Sequence, residues 1–143
     1  MAPELTRGEF LAQSGKTCLT LAAGGLLVLG CARIQSVDVE KTRPPDSPPN
    51  YLCKESEVSP AYYFRKGRLR GVLVRTKDRI KGYRNVCTHL GGPNRLEGDA
   101  LRCLWHGARF SPETGAVLRG PARKPLPALN LELRDGLVLL AQA

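Results

Sequence analysis

Two short runs in this chain hold four side chains able to bind metal: Cys87-Thr88-His89 and Cys103-Leu104-Trp105-His106. The chain has two histidines and five cysteines, and each histidine lies within three residues of a cysteine. Thiolate and imidazole together suit either zinc or iron–sulfur chemistry. Structural zinc sites usually pair like ligands, a C-x-x-C followed by an H-x-x-x-H. Here each run offers one thiol and one imidazole, and thirteen residues separate His89 from Cys103. A two-iron cluster with both thiolates on one iron and both imidazoles on the other accepts that arrangement. A Cys and a His two or three residues apart can reach different irons of one rhomb, so two such runs complete it. A structural zinc module using the same four residues is the competing reading. With both histidines assigned as ligands, no general base remains. The chain therefore reads as an electron-transfer protein or oxidoreductase subunit rather than a stand-alone catalyst.

The elements that must position these runs are strands. Fifteen Gly and eleven Pro favour a turn-rich β fold over a helix bundle. No helical periodicity of useful length appears between Tyr51 and Ala143. Short apolar runs recur instead: Tyr62-Tyr63-Phe64, Val72-Leu73-Val74 and Ile80 to Val86. Leu129, Leu131 and Leu133 alternate with polar residues, and Arg134-Asp135-Gly136 leads into Leu137-Val138-Leu139-Leu140, a hairpin signal. The pattern predicts an all-β domain over 51–143. A Gly/Pro-rich insertion at about 85–122 interrupts it and carries the chemistry.

Val86-Cys87-Thr88-His89-Leu90-Gly91-Gly92 and Cys103-Leu104-Trp105-His106-Gly107-Ala108-Arg109-Phe110-Ser111 resemble the two ligand loops of Rieske ferredoxin-like proteins. Thr114-Gly115 fits the same pattern, and Gly120-Pro121-Ala122 resembles the family's proline loop, which shields the cluster. The resemblance covers essentially all of 51–143. It implies an antiparallel β-sandwich with an inserted cluster-binding subdomain. It also implies one [2Fe–2S] cluster, with Cys87 and Cys103 on the inner iron and His89 and His106 on the outer iron near the tip. Three departures stand out. The segment between the loops is a few residues shorter than usual, so 92–102 is expected to be trimmed. Gly92 and Trp105 occupy the positions where proteins of the cytochrome bc complexes carry a disulfide. Ala108 and Phe110 stand where those proteins place hydroxyl donors near the cluster sulfurs. Losing two such hydrogen bonds lowers the expected reduction potential by roughly 90 mV.

The first 32 residues read as an address: a signal peptide, or a membrane or lipid anchor. Thr17 to Ala32 is a sixteen-residue stretch without charge. As a helix it spans about 24 Å, nearer a signal-peptide hydrophobic region than a full membrane crossing. Thr6-Arg7-Gly8-Glu9-Phe10-Leu11 resembles a twin-arginine export motif with Gly8 in place of the second arginine, and Val28-Leu29-Gly30-Cys31 resembles a lipobox, which makes Cys31 a candidate lipidation site. Cys18 is a passive member of the apolar stretch. Residues 33–50 read as a Pro-rich linker, expected to be extended and semi-stiff. Export places the domain on the periplasmic side or cell surface, tethered to the membrane.

The formal net charge of +9, from 22 basic and 13 acidic residues, comes entirely from the part after residue 31. It points to an acidic protein or an anionic membrane surface. No nucleic-acid motif accompanies it, and nucleic acid is not expected as a partner. The expected partner is a redox protein: a cytochrome or the large subunit of an oxidoreductase. A ferredoxin for an aromatic-ring dioxygenase is the alternative role; it fits the domain better than it fits the export segment. Arg84, Arg95, Arg102, Arg109, Arg119 and Arg123 surround the insertion, and their default role is solvation of exposed loops.

Overall fold

Alternating apolar residues and tight turns produce eleven short strands in the computed structural model, which describes residues 34–77 and 79–141. In chain order, β1 (Val37–Asp38), a single helical turn α1 (Val39–Thr42) and β2 (Tyr51–Lys54) come first. A hairpin follows, β3 (Ala61–Lys66) and β4 (Leu69–Arg75), then β5 (Ile80–Arg84). Four more strands lie inside the region of the metal-binding runs: β6 (Asn94–Glu97), β7 (Ala100–Cys103), β8 (Arg109–Phe110) and β9 (Val117–Arg119). The chain closes with β10 (Leu131–Arg134) and β11 (Leu137–Leu140). They form three sheets, ordered β1-β3-β4-β5, β10-β11-β2 and β6-β7-β8-β9.

The expected hairpin at Asp135-Gly136 forms. Arg134 pairs with Leu137, and the two turn residues have φ of 50° and 72°, as a primed two-residue turn requires. The run Val72-Leu73-Val74 shows why β4 is central. Leu73 enters one core with Leu52, Phe64, Val138 and Leu139, while Val72 and Val74 enter a second with Leu101, Ala108 and Phe110. Successive residues of a strand face opposite sides, so β4 is buried on both. The first core holds the base of the domain together. The second joins that base to the sheet carrying the metal-binding runs.

The structure adds to one expectation and corrects another. The Gly/Pro-rich composition of the insertion hides a sheet of its own. The insertion holds the four strands β6–β9, and the trimmed segment is the hairpin β6–β7, with Glu97 paired to Ala100 and Gly98 turning at φ 60°. Its strands are too short to show an apolar period, and each carries an arginine. The stretch read as an extended linker differs. Val37–Asp38 pairs in parallel with β3, Val39 is fully buried, and Asp38 and Glu40 bond Arg65 and Lys66 at 2.7 and 3.1 Å. The prolines then fold back in tight turns, Ser47 N donating to Pro44 O and Tyr51 N to Pro48 O. A proline fixes φ near −65°, a value that suits a turn as well as an extended spacer. The hydrophobic N-terminal stretch, with Cys18 and Cys31, lies outside the described residues. Among the described residues no helix is long and apolar enough to cross a membrane.

Candidate metal centre

The two Cys/His runs adopt the same turn. In the first, Cys87 N donates to Gly92 O, and Gly91 N donates back to Cys87 O, both at 2.8 Å. In the second, Cys103 N donates to Ala108 O at 2.8 Å and Gly107 N to Cys103 O at 3.0 Å. Each turn needs a residue at positive φ four positions after its cysteine, and glycine supplies it: Gly91 at 79°, Gly107 at 72°. Within this shared frame the histidine stands two residues after Cys87 but three after Cys103. The two imidazoles nevertheless meet, with ring centroids 5.0 Å apart and planes at 85°.

Burial divides the four side chains into two pairs. Cys87 and Cys103 are buried and free of disulfides; His89 and His106 are exposed. The Cys87 thiol lies within hydrogen-bonding reach of Cys103, and the backbone amides of His89 and Leu90 donate to its sulfur. Burial pushes the Cys87 thiol up, Cys103 reinforces that, and the two amides oppose it. Gly92 sits against the sulfur pair. A Cβ there would lie 2.9 Å from Cys103 Sγ and 2.8 Å from the Trp105 ring, so even alanine has no room without a shift. Trp105 lies over this glycine yet stays 60% exposed, and Leu90 is 61% exposed. The two form an apolar rim beside the imidazoles.

Three contacts fix this assembly on the base. Asn94, directly opposite Cys103 across the β6–β7 ladder, donates its backbone N–H to the Asn85 side chain at 2.7 Å. The Thr88 hydroxyl donates to Lys124 O at 2.6 Å, tying the first loop to the segment after Gly120-Pro121-Ala122. Leu96 N donates to the Tyr63 hydroxyl at 2.8 Å. Sequence reasoning missed the buried Asn85 and Asn94, because an isolated asparagine in a Gly-rich stretch reads as a turn residue.

The donor set fits a two-iron cluster better than a single ion. Among the described residues no three His, Cys, Asp or Glu side chains group closely enough to hold one metal, as tetrahedral zinc requires. A buried thiol pair beside an exposed imidazole pair matches a cluster whose two irons take different ligands. The third cysteine among the described residues takes no part. Cys53 lies in the first core, where burial, assisted by Glu57, pushes its thiol up to about 12.

The family model for the Rieske [2Fe-2S] domain matches residues 49–130, more than half of the chain. The chain belongs to the Rieske [2Fe–2S] domain family. That family binds a [2Fe–2S] cluster, in agreement with the donor set. Ferredoxin CarAc of Metapseudomonas resinovorans is 27% identical over 96 residues, covering 63% of this chain and 90% of the ferredoxin. The cytochrome b6-f complex iron-sulfur subunit of Nostoc punctiforme is 34% identical over 79 residues, covering 52% of this chain and 44% of that subunit. Among solved structures, the plasma membrane Rieske protein PetC3 of Synechocystis PCC 6803 superposes with a TM-score of 0.57. That match has 20% identity and covers 64% of this chain and 98% of PetC3, a likeness of fold. Apart from the ferredoxin, this Rieske chain spans only 16% to 45% of the length of the curated relatives it matches.

Proposed function

We propose that Cys87, His89, Cys103 and His106 hold one [2Fe–2S] cluster, the thiolates on the inner iron and the imidazoles on the outer, and that the chain carries single electrons between redox proteins. When bound, the cluster supplies a one-electron couple. The observation carrying this reading is the division of the four donors into a buried sulfur pair and an exposed imidazole pair. The buried pair and its amide donors keep water from the sulfurs. The exposed pair leaves one edge of the site open to a partner, a short path for an electron.

The reading extends to the cell surface or periplasmic side, with the domain tethered through residues 1–32. Its support is the uncharged stretch from Thr17 to Ala32 and the order Val28-Leu29-Gly30-Cys31. The alternative role, a ferredoxin serving an oxygenase, is favoured by one observation: the match to ferredoxin CarAc covers nearly that protein's whole length.

Full-length protein made with ample iron and sulfide tests the assignment. It is expected to be coloured, to hold iron and acid-labile sulfide in equal amounts, and to give a paramagnetic resonance signal when reduced. Cys87→Ser and Cys103→Ser are each expected to abolish the visible absorbance. A colourless protein that binds zinc through the same residues would establish the structural zinc module instead. The potential is expected below that of a bc-type Rieske protein, because Ala108 and Phe110, both fully buried, offer the sulfurs a methyl and a ring rather than a hydroxyl.

A further inference from the structure

The sheet β6–β9 carries an arginine on each of its four strands, and the four are in register. Arg95 pairs with Arg102, Arg102 with Arg109, and Arg109 with Arg119. Residues directly opposite in antiparallel strands project from the same face. The four guanidinium groups therefore form a row across that face, while Leu101 and Phe110 fill the core on the other. Like charges placed directly opposite destabilise a sheet. Two carboxylates offset part of the repulsion: Glu97 bonds Arg102 at 3.0 Å and Asp99 bonds Arg109 at 3.4 Å. Arg119 forms no ion pair among the described residues, so the row keeps an excess of positive charge.

The row ends at the metal centre. Arg102, Arg109 and Arg119 line one open cleft of about 400 Å³ together with His106. A second cleft, on the His89 side, is lined by Arg123 and Lys124. Each exposed imidazole thus opens onto a cleft rich in basic side chains, Glu97 being the one carboxylate in the lining of the first.

We propose that the arginine row is the docking strip for an acidic protein partner, whose carboxylates enter the cleft beside His106 while an apolar patch covers Leu90 and Trp105. This rests on the proposed function and adds the class of partner. Guanidinium groups take carboxylates in two parallel hydrogen bonds, which orient as well as attract. A protein rather than a small anion is the occupant, because an apolar rim with two exposed side chains flanks the charge. The row also explains an otherwise costly register: charge repulsion within the free chain is relieved when the partner binds.

The test uses the full chain and one probe protein in two charge states: cytochrome c with its native basic surface, and the same cytochrome with its lysines succinylated. Stopped flow follows oxidation of the reduced chain, and calorimetry measures binding whether or not the chain is coloured. The acidic cytochrome is expected to react at least about 10-fold faster than the basic one at low salt, a margin that shrinks as salt is raised. Arg119→Glu with Arg102→Glu is expected to remove most of that margin while leaving the visible spectrum unchanged, and the rates are compared at the potential measured for each variant. Anionic lipid vesicles and a DNA duplex serve as competing anions. Equal rates for the two cytochromes, no effect of the double variant, or tighter binding to vesicles or DNA would overturn the docking strip. A colourless chain that still binds the acidic cytochrome through these arginines would support the strip and refute the cluster; a coloured chain indifferent to charge would do the reverse.

Discussion

The two ligand loops share one turn but differ in what surrounds them. The second, from Cys103 to Ala108, connects β7 directly to β8, so its ends are fixed by neighbouring strands of one sheet. The first runs from the end of β5 at Arg84 to the start of β6 at Asn94, crossing from one sheet to another. It is held by side chains instead: Asn85 accepting from Asn94, and Thr88 donating to Lys124. The turn sets where the sulfur goes in both loops, and the one-residue shift of the histidine sets where the imidazole goes. Support for the second loop comes from the ladder, whereas the first depends on individual polar contacts with chain distant in sequence.

The largest break in this comparison is expected at the residue five positions after each cysteine. In the first loop it is Gly92, facing Cys103 Sγ and the indole; in the second it is Ala108, fully buried in the second core. Gly92→Ala is expected to cost about 1–3 kcal/mol by overpacking and to lower the visible absorbance per chain. Ala108→Gly removes only a methyl group and is expected to cost about 1 kcal/mol. Thermal melts together with iron content per chain check the pair. Equal losses from both substitutions would mean that the sulfur pair tolerates contact on either side.

The next test asks whether the turns are equivalent. Gly91 and Gly107 both hold left-handed φ, and a Cβ added at either would meet nothing closer than 3.9 Å. Alanine at each is therefore limited by backbone strain alone, about 1–2 kcal/mol. The two losses in melting free energy are expected to agree within measurement error. A loss confined to one loop would show that the shared hydrogen-bond pattern hides a difference in how tightly the turns are held.

These loops were legible in the sequence to different depths. The four donors stood out because Cys and His are scarce here and clustered, and the glycines after them marked turns. The turn at Asp135-Gly136 was legible for the same local reason. The sheet β6–β9 was not: its strands are two to four residues long, and only β7 has more than one buried residue, too little for a period of two to show. Nor was the packing of Val39, because a parallel pairing with β3 is a long-range event with no local signal. The arginine row shows this limit most clearly. Four arginines scattered over 95–119 read as solvated loop charge, and only the register of three strand pairs puts them in line.

The smallest expected effect isolates the side-chain tether. The Thr88 hydroxyl donates to Lys124 O at 2.6 Å, between chain segments 36 residues apart, whereas the matching position of the second loop is Leu104, whose side chain has no hydrogen-bonding group. Leu104 is instead held through its backbone N–H, which donates to Pro93 O at 2.9 Å. Thr88→Val keeps the shape and β-branching of the side chain but removes the donor, with an expected loss of about 1 kcal/mol. Because Lys124 O is partly open to water, the carbonyl can be rehydrated, which keeps the loss small. The informative reading is where that loss falls. Amide exchange is expected to quicken at 88–91 and at 121–126 together, and to stay unchanged at 103–108. Faster exchange in both loops alike would show that they are held as one unit and that the side-chain tether is not specific to the first.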